Sequence, residues 1–207
     1  MLGFFVALAV LILADAIAAR AGVVAGFARS DGPWFWIASR AAGVTAFVAL
    51  TLDVTFGLFL STGLADAWIP RARSVELHRW LSASALALAA LHALALAGDR
   101  FVRFDLLDAL VPFLSSYRPF AVGLGVLALW LAWIVHASFS VRRRIGVARW
   151  RLLHYASFVV FVLAAAHGLL AGTDTARPWM TNIYIVAVAT VVAMSVIRVA
   201  RSHARRP

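Results

Sequence analysis

Six long apolar segments, separated by short polar connections, constrain this chain more than any other feature. About 20 apolar residues in a helix are enough to cross the hydrocarbon core of a bilayer. Because that core offers no water to the backbone, a spanning segment is expected to be helical. We therefore predict an all-α membrane protein, a six-transmembrane-helix bundle. Its spans 1 to 6 are expected at about residues 2–24, 34–60, 76–97, 119–139, 152–171 and 179–199.

The composition supports a membrane location for most of the chain. Of the 207 residues, 64% are hydrophobic and only 14% are charged, whereas a soluble domain carries about 25% charged residues. Six spans use nearly the whole length, so we expect residues 1–207 to form a single transmembrane domain. A flavin or NAD(P)H domain would then belong to a separate protein. Span 1 could instead be a signal peptide, although it lacks a basic n-region.

The longest connection, residues 98–118, also has a helical pattern. Its apolar residues recur three or four positions apart, with charged residues between them, as in a helix that lies on a membrane surface. We predict a short interfacial helix after span 3. The apolar positions are Phe101, Phe104, Leu107, Leu110 and Val111.

The basic residues predict the orientation of the chain. All 19 basic residues are arginines, and the formal net charge is +10. The connections after spans 2 and 4, together with the C-terminal tail and the flanking span ends, hold twelve arginines, and the opposite connections hold five. Because cytoplasmic loops are enriched in basic residues, both termini are predicted to be cytoplasmic in a bacterial inner (plasma) membrane. Such arginines serve topology and lipid headgroups, so no nucleic-acid partner is expected.

Four histidines inside the spans are the best candidates for chemistry, because ionisable groups in a membrane are costly and usually functional. His78 and His92 lie fourteen residues apart on span 3, and His154 and His167 lie thirteen apart on span 5. These spacings correspond to rises of about 21 Å and about 20 Å. Because both spans run outward, His78 can face His154 on the inner side, and His92 can face His167 on the outer side.

Each pair could provide two axial imidazoles to one haem iron, which leaves no open coordination site and suits electron transfer. Two b haems are therefore expected. The chain has no cysteine, which excludes cysteine-ligated iron–sulfur clusters and thioether-attached haem. Zinc is disfavoured because the two pairs are about 20 Å apart in depth. The alternative is a set of hydrogen-bonded histidines in a helical bundle.

The thirteen-residue step in span 5 is a geometric difficulty. Fourteen residues leave His78 and His92 only about 40° apart around a helix, but thirteen leave His154 and His167 about 140° apart. Span 5 would need a π-bulge, or the haems would approach it from different sides.

Arginines near the spans are candidate partners for haem propionates. Arg40 in span 2 and Arg118 are the main outer candidates, and snorkelling to the interface is the alternative for Arg40. Weaker candidates are Arg100 on the outer side and Arg73, Arg79 and Arg151 on the inner side. A further histidine, His136 in span 4, is expected to be a polar interface residue, with propionate contact or donor docking as an alternative.

At these residues the chain resembles the ferric reductase-like transmembrane domain family, which includes NADPH oxidases, ferric reductases and the haem subunit of bacterial methionine sulfoxide reductase. The shared pattern is two histidines on the third span and two on the fifth, spaced fourteen and thirteen. Here these are His78 and His92, then His154 and His167. Similar arginine-containing segments lie at residues 39–43, 77–80, 117–119 and 150–154, and the resemblance covers about residues 34–170.

The resemblance implies a transmembrane cytochrome b that carries electrons across two stacked haems. Its donor would be a cytoplasmic flavin-dependent reductase or reduced flavin, and its acceptor a protein or small molecule on the outer side. Two alternatives stay open. One is a quinol-oxidising cytochrome b fed from the bilayer, and the other is a non-haem membrane transporter or assembly protein whose histidines relay protons.

Overall fold

The structure is a computed structural model that describes residues 33–64, 66, 68–99, 102 and 104–204. The predicted span 1 lies outside these residues. Within them the chain forms seven helices and no strand. They are α1 (Trp34–Thr62), α2 (Arg71–Ala97), α3 (Leu106–Leu110), α4 (Pro119–Ile145), α5 (Val147–His154), α6 (Ala156–Ala171) and α7 (Pro178–Ala204).

Five segments of the described chain are long and apolar enough to cross a membrane. They are α1, α2, α4, α5 together with α6, and α7. The all-helical class is therefore confirmed, and five of the six predicted spans are present. The sixth span stays a prediction.

Short connections join α1 to α2, α4 to α5 and α6 to α7, a longer one joins α2 to α4, and successive spans are antiparallel. The α1 helix packs along α2, α4 packs along α6, and α7 packs against α1. Aromatic side chains join three of these helices, since Phe47 of α1 stacks on Phe161 of α6 at 5.8 Å and meets Tyr184 of α7 at 5.4 Å. We call the end that carries the connections α1–α2 and α4–α5 the basic end, and the other end the opposite end.

Several helices extend beyond the apolar segments. The α2 helix begins at Arg71 rather than near residue 76, and α4 continues to Ile145 rather than ending near residue 139. Hydropathy marks the membrane-embedded part only, and arginine is a good helix former, so these helices continue past it. Both α1 and α4 end at glycines with positive φ, Gly63 at 72° and Gly146 at 87°, a conformation that costs glycine little.

The connection between α2 and α4 contains the five-residue helix α3. Asp105 caps it by accepting hydrogen bonds from the backbone of Leu107 and Asp108, and the Asp108 side chain accepts one from the backbone N–H of Asp105. This capping box explains where the helix begins. A short helix therefore exists in the predicted region, and its location at a membrane interface stays a prediction.

The fifth span is interrupted at Tyr155, between α5 and α6. The backbone N of Tyr155 lies 3.2 Å from the carbonyl oxygens of both Arg151 and Leu152, and Phe158 N–H donates to Tyr155 O at 3.1 Å. Such three-residue steps tighten a helix. No π-bulge is present between Val147 and Ala171. In a tightened helix each residue turns by more than about 100° about the helix axis. The thirteen residues from His154 to His167 therefore come closer to four whole turns.

Candidate functional site

The structure brings the four histidines together in the two pairs that the spacing predicts. His78 and His154 lie toward the basic end, with ring centres 6.0 Å apart and planes at 85°. His92 and His167 lie toward the opposite end, with ring centres also 6.0 Å apart and planes at 72°. Two imidazole–metal bonds of about 2.0 Å, extended by the radius of each ring, give a separation of about 6 Å. Both pairs therefore have the spacing that one shared metal ion requires.

The pair at the opposite end, which we call the outer pair after its predicted orientation, is oriented by backbone and hydroxyl groups. Nδ1 of His92 donates to the carbonyl oxygen of Ser39 at 2.7 Å, and the Ser39 hydroxyl lies 3.0 Å from the same nitrogen. Nδ1 of His167 donates to the carbonyl oxygen of Ala121 at 2.8 Å. Because a carbonyl only accepts, each Nδ1 carries the proton and each Nε2 keeps its lone pair. This is the usual state of a metal-binding histidine.

The pair at the basic end, His78 and His154, which we call the inner pair, has a different environment. Nδ1 of His78 lies 2.8 Å from Oδ1 of Asp53, a side chain on α1 that is only 13% exposed. The ring of His154 stacks on Trp150 one turn earlier, with centres 5.1 Å apart and planes at 26°. Three of the four histidines therefore have Nδ1 beside an acceptor from α1 or α4.

Glycines make room for three of the four rings. A Cβ atom on Gly43 would lie 2.8 Å from Nδ1 of His92, and one on Gly125 would lie 2.7 Å from Nδ1 of His167. A Cβ on Gly57 would lie 3.0 Å from Cε1 of His78. Any larger residue at these positions would compete with the imidazole for the same space. The helices are therefore shaped around the histidine pairs.

A largely apolar cavity of about 270 Å³ lies inside the helix bundle. His92 and His167 line it, and it extends along α1 as far as Asp53. Neither His78 nor His154 is among the described residues that line it. An apolar cavity between facing imidazoles suits a flat, mostly apolar ligand, and this is observed for the outer pair.

The outer candidate arginines both have partners in the protein. Arg40 forms an ion pair with Asp174, with Nε donating to Oδ2 at 2.9 Å, and both residues line the cavity. Arg118 donates to the carbonyl oxygen of Leu170 at 2.7 Å, which ties the start of α4 to the end of α6. Arg100 lies outside the described residues. Of the two, Arg40 is the one that borders the cavity.

Nδ1 of His78 has its ion-pair contact with Asp53, but two other buried donors near the inner pair make no hydrogen bond to the described residues. They are Nε of Arg79 and Nε1 of Trp150, and both side chains border the ring of Phe139, at 5.1 Å and 6.1 Å. The other end of Arg79 donates to Glu76 at 2.7 Å. Because buried donors are normally hydrogen-bonded, these atoms fit an acidic group that the described residues do not provide. The weaker candidates Arg73 and Arg151 are exposed.

His136 connects two helices. Its Nδ1 lies 3.0 Å from the hydroxyl oxygen of Ser82, so it joins α4 to α2 at the depth of the inner pair. Its predicted role as a polar interface residue stays a prediction. Among the described residues, no group of three or more His, Cys, Asp or Glu side chains could hold a metal ion, so the candidate sites are pairs of imidazoles.

Sequence analysis noted the segment 39–43 but did not link the residues that support the histidines to the rings that they contact. Ser39 and Asp53 lie fourteen residues apart on α1, as do Gly43 and Gly57. This step equals the spacing of His78 and His92 on the antiparallel neighbour α2. The repeat was visible in the sequence and could have identified these positions as the ones that face the two histidines.

The fold and these pairs define a multi-pass helical membrane protein with a two-histidine site at each end of its core. The family model for the ferric reductase like transmembrane component matches residues 42–165, which is more than half of the chain. The protein therefore belongs to this family of transmembrane electron-transfer components, which generally bind haem. Comparison with curated proteins and with solved structures gave no match.

Proposed function

We propose that this protein binds two b-type haems, one between His78 and His154 and one between His92 and His167, and carries electrons across the membrane. The observation that carries this proposal is the equal 6.0 Å separation of the two ring pairs at opposite ends of the core. Family membership supports the same function. A haem with two imidazole ligands supplies one-electron transfer and leaves no site open for oxygen.

The residues of the chain would position and insulate the two haems. Ser39 and Ala121 orient the outer ligands through Nδ1 and so leave Nε2 of each ring with its lone pair. The apolar lining of the cavity excludes water from the outer pair, and Arg40 at its border is a candidate partner for a propionate. Arg79 and Trp150 provide two buried donors for a carboxylate near the inner pair.

The direction of transfer follows from the proposed orientation. If the basic end faces the cytoplasm, as the arginine distribution favours, the His78/His154 pair lies on the side of a cytoplasmic reductase. Four exposed arginines around the α4–α5 connection would attract an acidic flavoprotein or the phosphate of a reduced flavin. An acceptor on the outer side would then take the electron from the His92/His167 pair. These arginines are Arg143, Arg144, Arg149 and Arg151.

The test is haem counting on the purified full-length protein. A reduced-minus-oxidised spectrum should show b-type haem, and pyridine haemochrome should give two haems per chain. Replacing His78 or His154 with alanine should leave one haem, and so should replacing His92 or His167. The variant His203→Ala is a matched control, because His203 is exposed at the end of α7. A colourless wild-type protein would refute the proposal and favour the transporter alternative.

A second measurement separates the proposal from a quinol-oxidising cytochrome b. Protein in liposomes should be reduced by a flavin reductase with NAD(P)H and only slowly by a quinol. Rapid reduction by quinol alone would favour the quinol-oxidising alternative.

A further inference from the structure

The helix pair α1 and α2 contains the same local unit twice. Ser39 and Gly43 face His92, and fourteen residues later Asp53 and Gly57 face His78. In each unit an acceptor lies beside Nδ1 of the histidine, and a glycine four positions further along leaves room for the ring. The two units differ in the acceptor, which is a carbonyl with a hydroxyl at Ser39 and a carboxyl group at Asp53.

The partner histidines, His167 and His154, also differ in the groups that contact their rings. His167 donates to the carbonyl of Ala121, so both outer ligands have neutral acceptors. His154 stacks on Trp150, and among the described residues Asp53 is the acidic group in ion-pair contact with the inner pair. Nearby positive charge from Arg79 is partly offset by Glu76, whose Oε2 lies 2.7 Å away. The inner site therefore has the more electron-rich ligand set.

Nδ1 of His78 and Oδ1 of Asp53 are in ion-pair contact at 2.8 Å, and a carboxylate beside the Nδ1 of a ligating histidine makes the imidazole a stronger electron donor. A stronger donor stabilises the oxidised, more positive iron, and hydrogen bonding to axial ligands is one of the ways in which a protein tunes haem potential. A negative charge close to the inner pair also opposes the arrival of an electron. Both effects lower the reduction potential of the inner site.

Resting on the function proposed above, we propose that Asp53 is a positioning residue that holds the inner haem at a lower reduction potential than the outer one. Transfer from the inner to the outer site oxidises one iron by one electron and reduces the other by one, and it changes no bond and no proton. Asp53 therefore makes this step downhill in the outward direction. In this role it acts through His78 and touches no substrate.

The test is an optical redox titration of the purified full-length protein. The variants His78→Ala and His167→Ala assign the two midpoints, because each leaves one site intact. We expect the inner midpoint to be the lower one in the wild type. In Asp53→Asn we expect at least a tenfold higher ratio of reduced to oxidised inner haem at a fixed potential, which equals about 59 mV for one electron. Asp53→Glu should restore most of the difference.

Spectroscopy and a matched variant separate tuning from a merely structural role. The low-spin electron paramagnetic resonance signal of the inner haem should change in Asp53→Asn and stay unchanged in Ser39→Ala, which keeps the carbonyl acceptor of the outer site. Ser39→Asp places a carboxylate at the equivalent outer position, and it should lower the outer midpoint.

The outcomes distinguish this inference from the function on which it rests. Wild-type protein without haem would refute the function itself. Two haems with the inner midpoint equal to or above the outer one would overturn the inference alone, and so would an unchanged inner midpoint in Asp53→Asn. If Asp53→Asn loses its inner haem, Ser39→Asp decides: a lower outer midpoint supports the inference, and an unchanged one overturns it.

Discussion

Gly43 faces His92 so closely that a Cβ atom on this glycine would lie 2.8 Å from the Nδ1 atom of the ring. Real Cβ atoms essentially never approach a neighbour so closely. The hydrogen bonds of Nδ1 to Ser39 hold the ring in this position, so it cannot move aside without losing them. A small residue on one helix thus determines where an imidazole on the next helix can lie.

The first prediction concerns these glycines. Gly43→Ala and Gly125→Ala should each displace an outer histidine and cost about 1–3 kcal/mol through overpacking. We expect a lower thermal midpoint and loss of one haem per chain. Gly57→Ala should be milder, because its added Cβ would lie 3.0 Å from His78, at a carbon rather than at Nδ1. Two haems per chain in all three variants, as in the wild type, would contradict the proposed crowding.

A second prediction concerns the register of span 5. Inserting one alanine after Tyr155 makes the histidine spacing fourteen and rotates His167 by about 100° relative to His154. One of the two haems should then be lost in pyridine haemochrome assays. The control is the same insertion beside Gly146, which lies before both histidines and leaves their thirteen-residue spacing unchanged. Retention of both haems after the first insertion would show that span 5 tolerates either register.

A third prediction concerns Arg40 and Asp174, whose side chains are 41% and 16% exposed. A double-mutant cycle of thermal unfolding with Arg40→Gln and Asp174→Asn should give a coupling of about 1–3 kcal/mol, since the pair is in contact and only partly exposed. If Arg40 also contacts a propionate, Arg40→Gln should lower outer haem retention more than Asp174→Asn does. Equal retention in the two variants would assign Arg40 to the ion pair alone.

A fourth prediction concerns His136. His136→Ala and Ser82→Ala should each remove the hydrogen bond between α4 and α2 and cost about 1 kcal/mol of stability. Both variants should keep two haems, because this histidine bonds to Ser82 and is not one of the four proposed haem ligands. A variant with one haem would instead make His136 part of the inner site.

Carbon monoxide provides a fifth test. With two imidazoles on each iron, the reduced wild-type spectrum should not change under carbon monoxide. His167→Ala and His154→Ala should each open a coordination position in any haem that they retain, and should then show a shifted Soret band. A carbon monoxide complex in the wild type would contradict the assignment of four axial ligands.

Much of the fold and the central geometry could be predicted from the sequence. Apolar run length located five described spans, and the steps of fourteen and thirteen residues paired His78 with His154 and His92 with His167. These features are encoded locally, because helical rise converts residue spacing into depth. The helix ends could not be predicted from hydropathy, because the apolar segments end before the helices α2 and α4 do.

Features that depend on contacts between distant segments could not be predicted. The partner of Arg40 lies 134 residues away, and only packing of the spans brings Asp174 to it. The fourteen-residue step from Ser39 to Asp53 is visible in the sequence, but which histidine each residue faces depends on the register of α1 against α2. The tightened turn at Tyr155 has no hydropathy signal, so a π-bulge was an equally acceptable way to adjust span 5.

The fourteen-residue repeat on α1 and α2 also limits how many such sites one membrane protein of this kind can stack. Each repeat advances the helix by about 21 Å, while the hydrocarbon core of a bilayer is about 30 Å thick. Two units are one step apart and fit within that thickness. A third would need about 42 Å between the outermost ligands, which exceeds the thickness of the hydrocarbon core. The thickness of the bilayer, rather than the chemistry of the histidines, therefore limits the number of such repeat units to two.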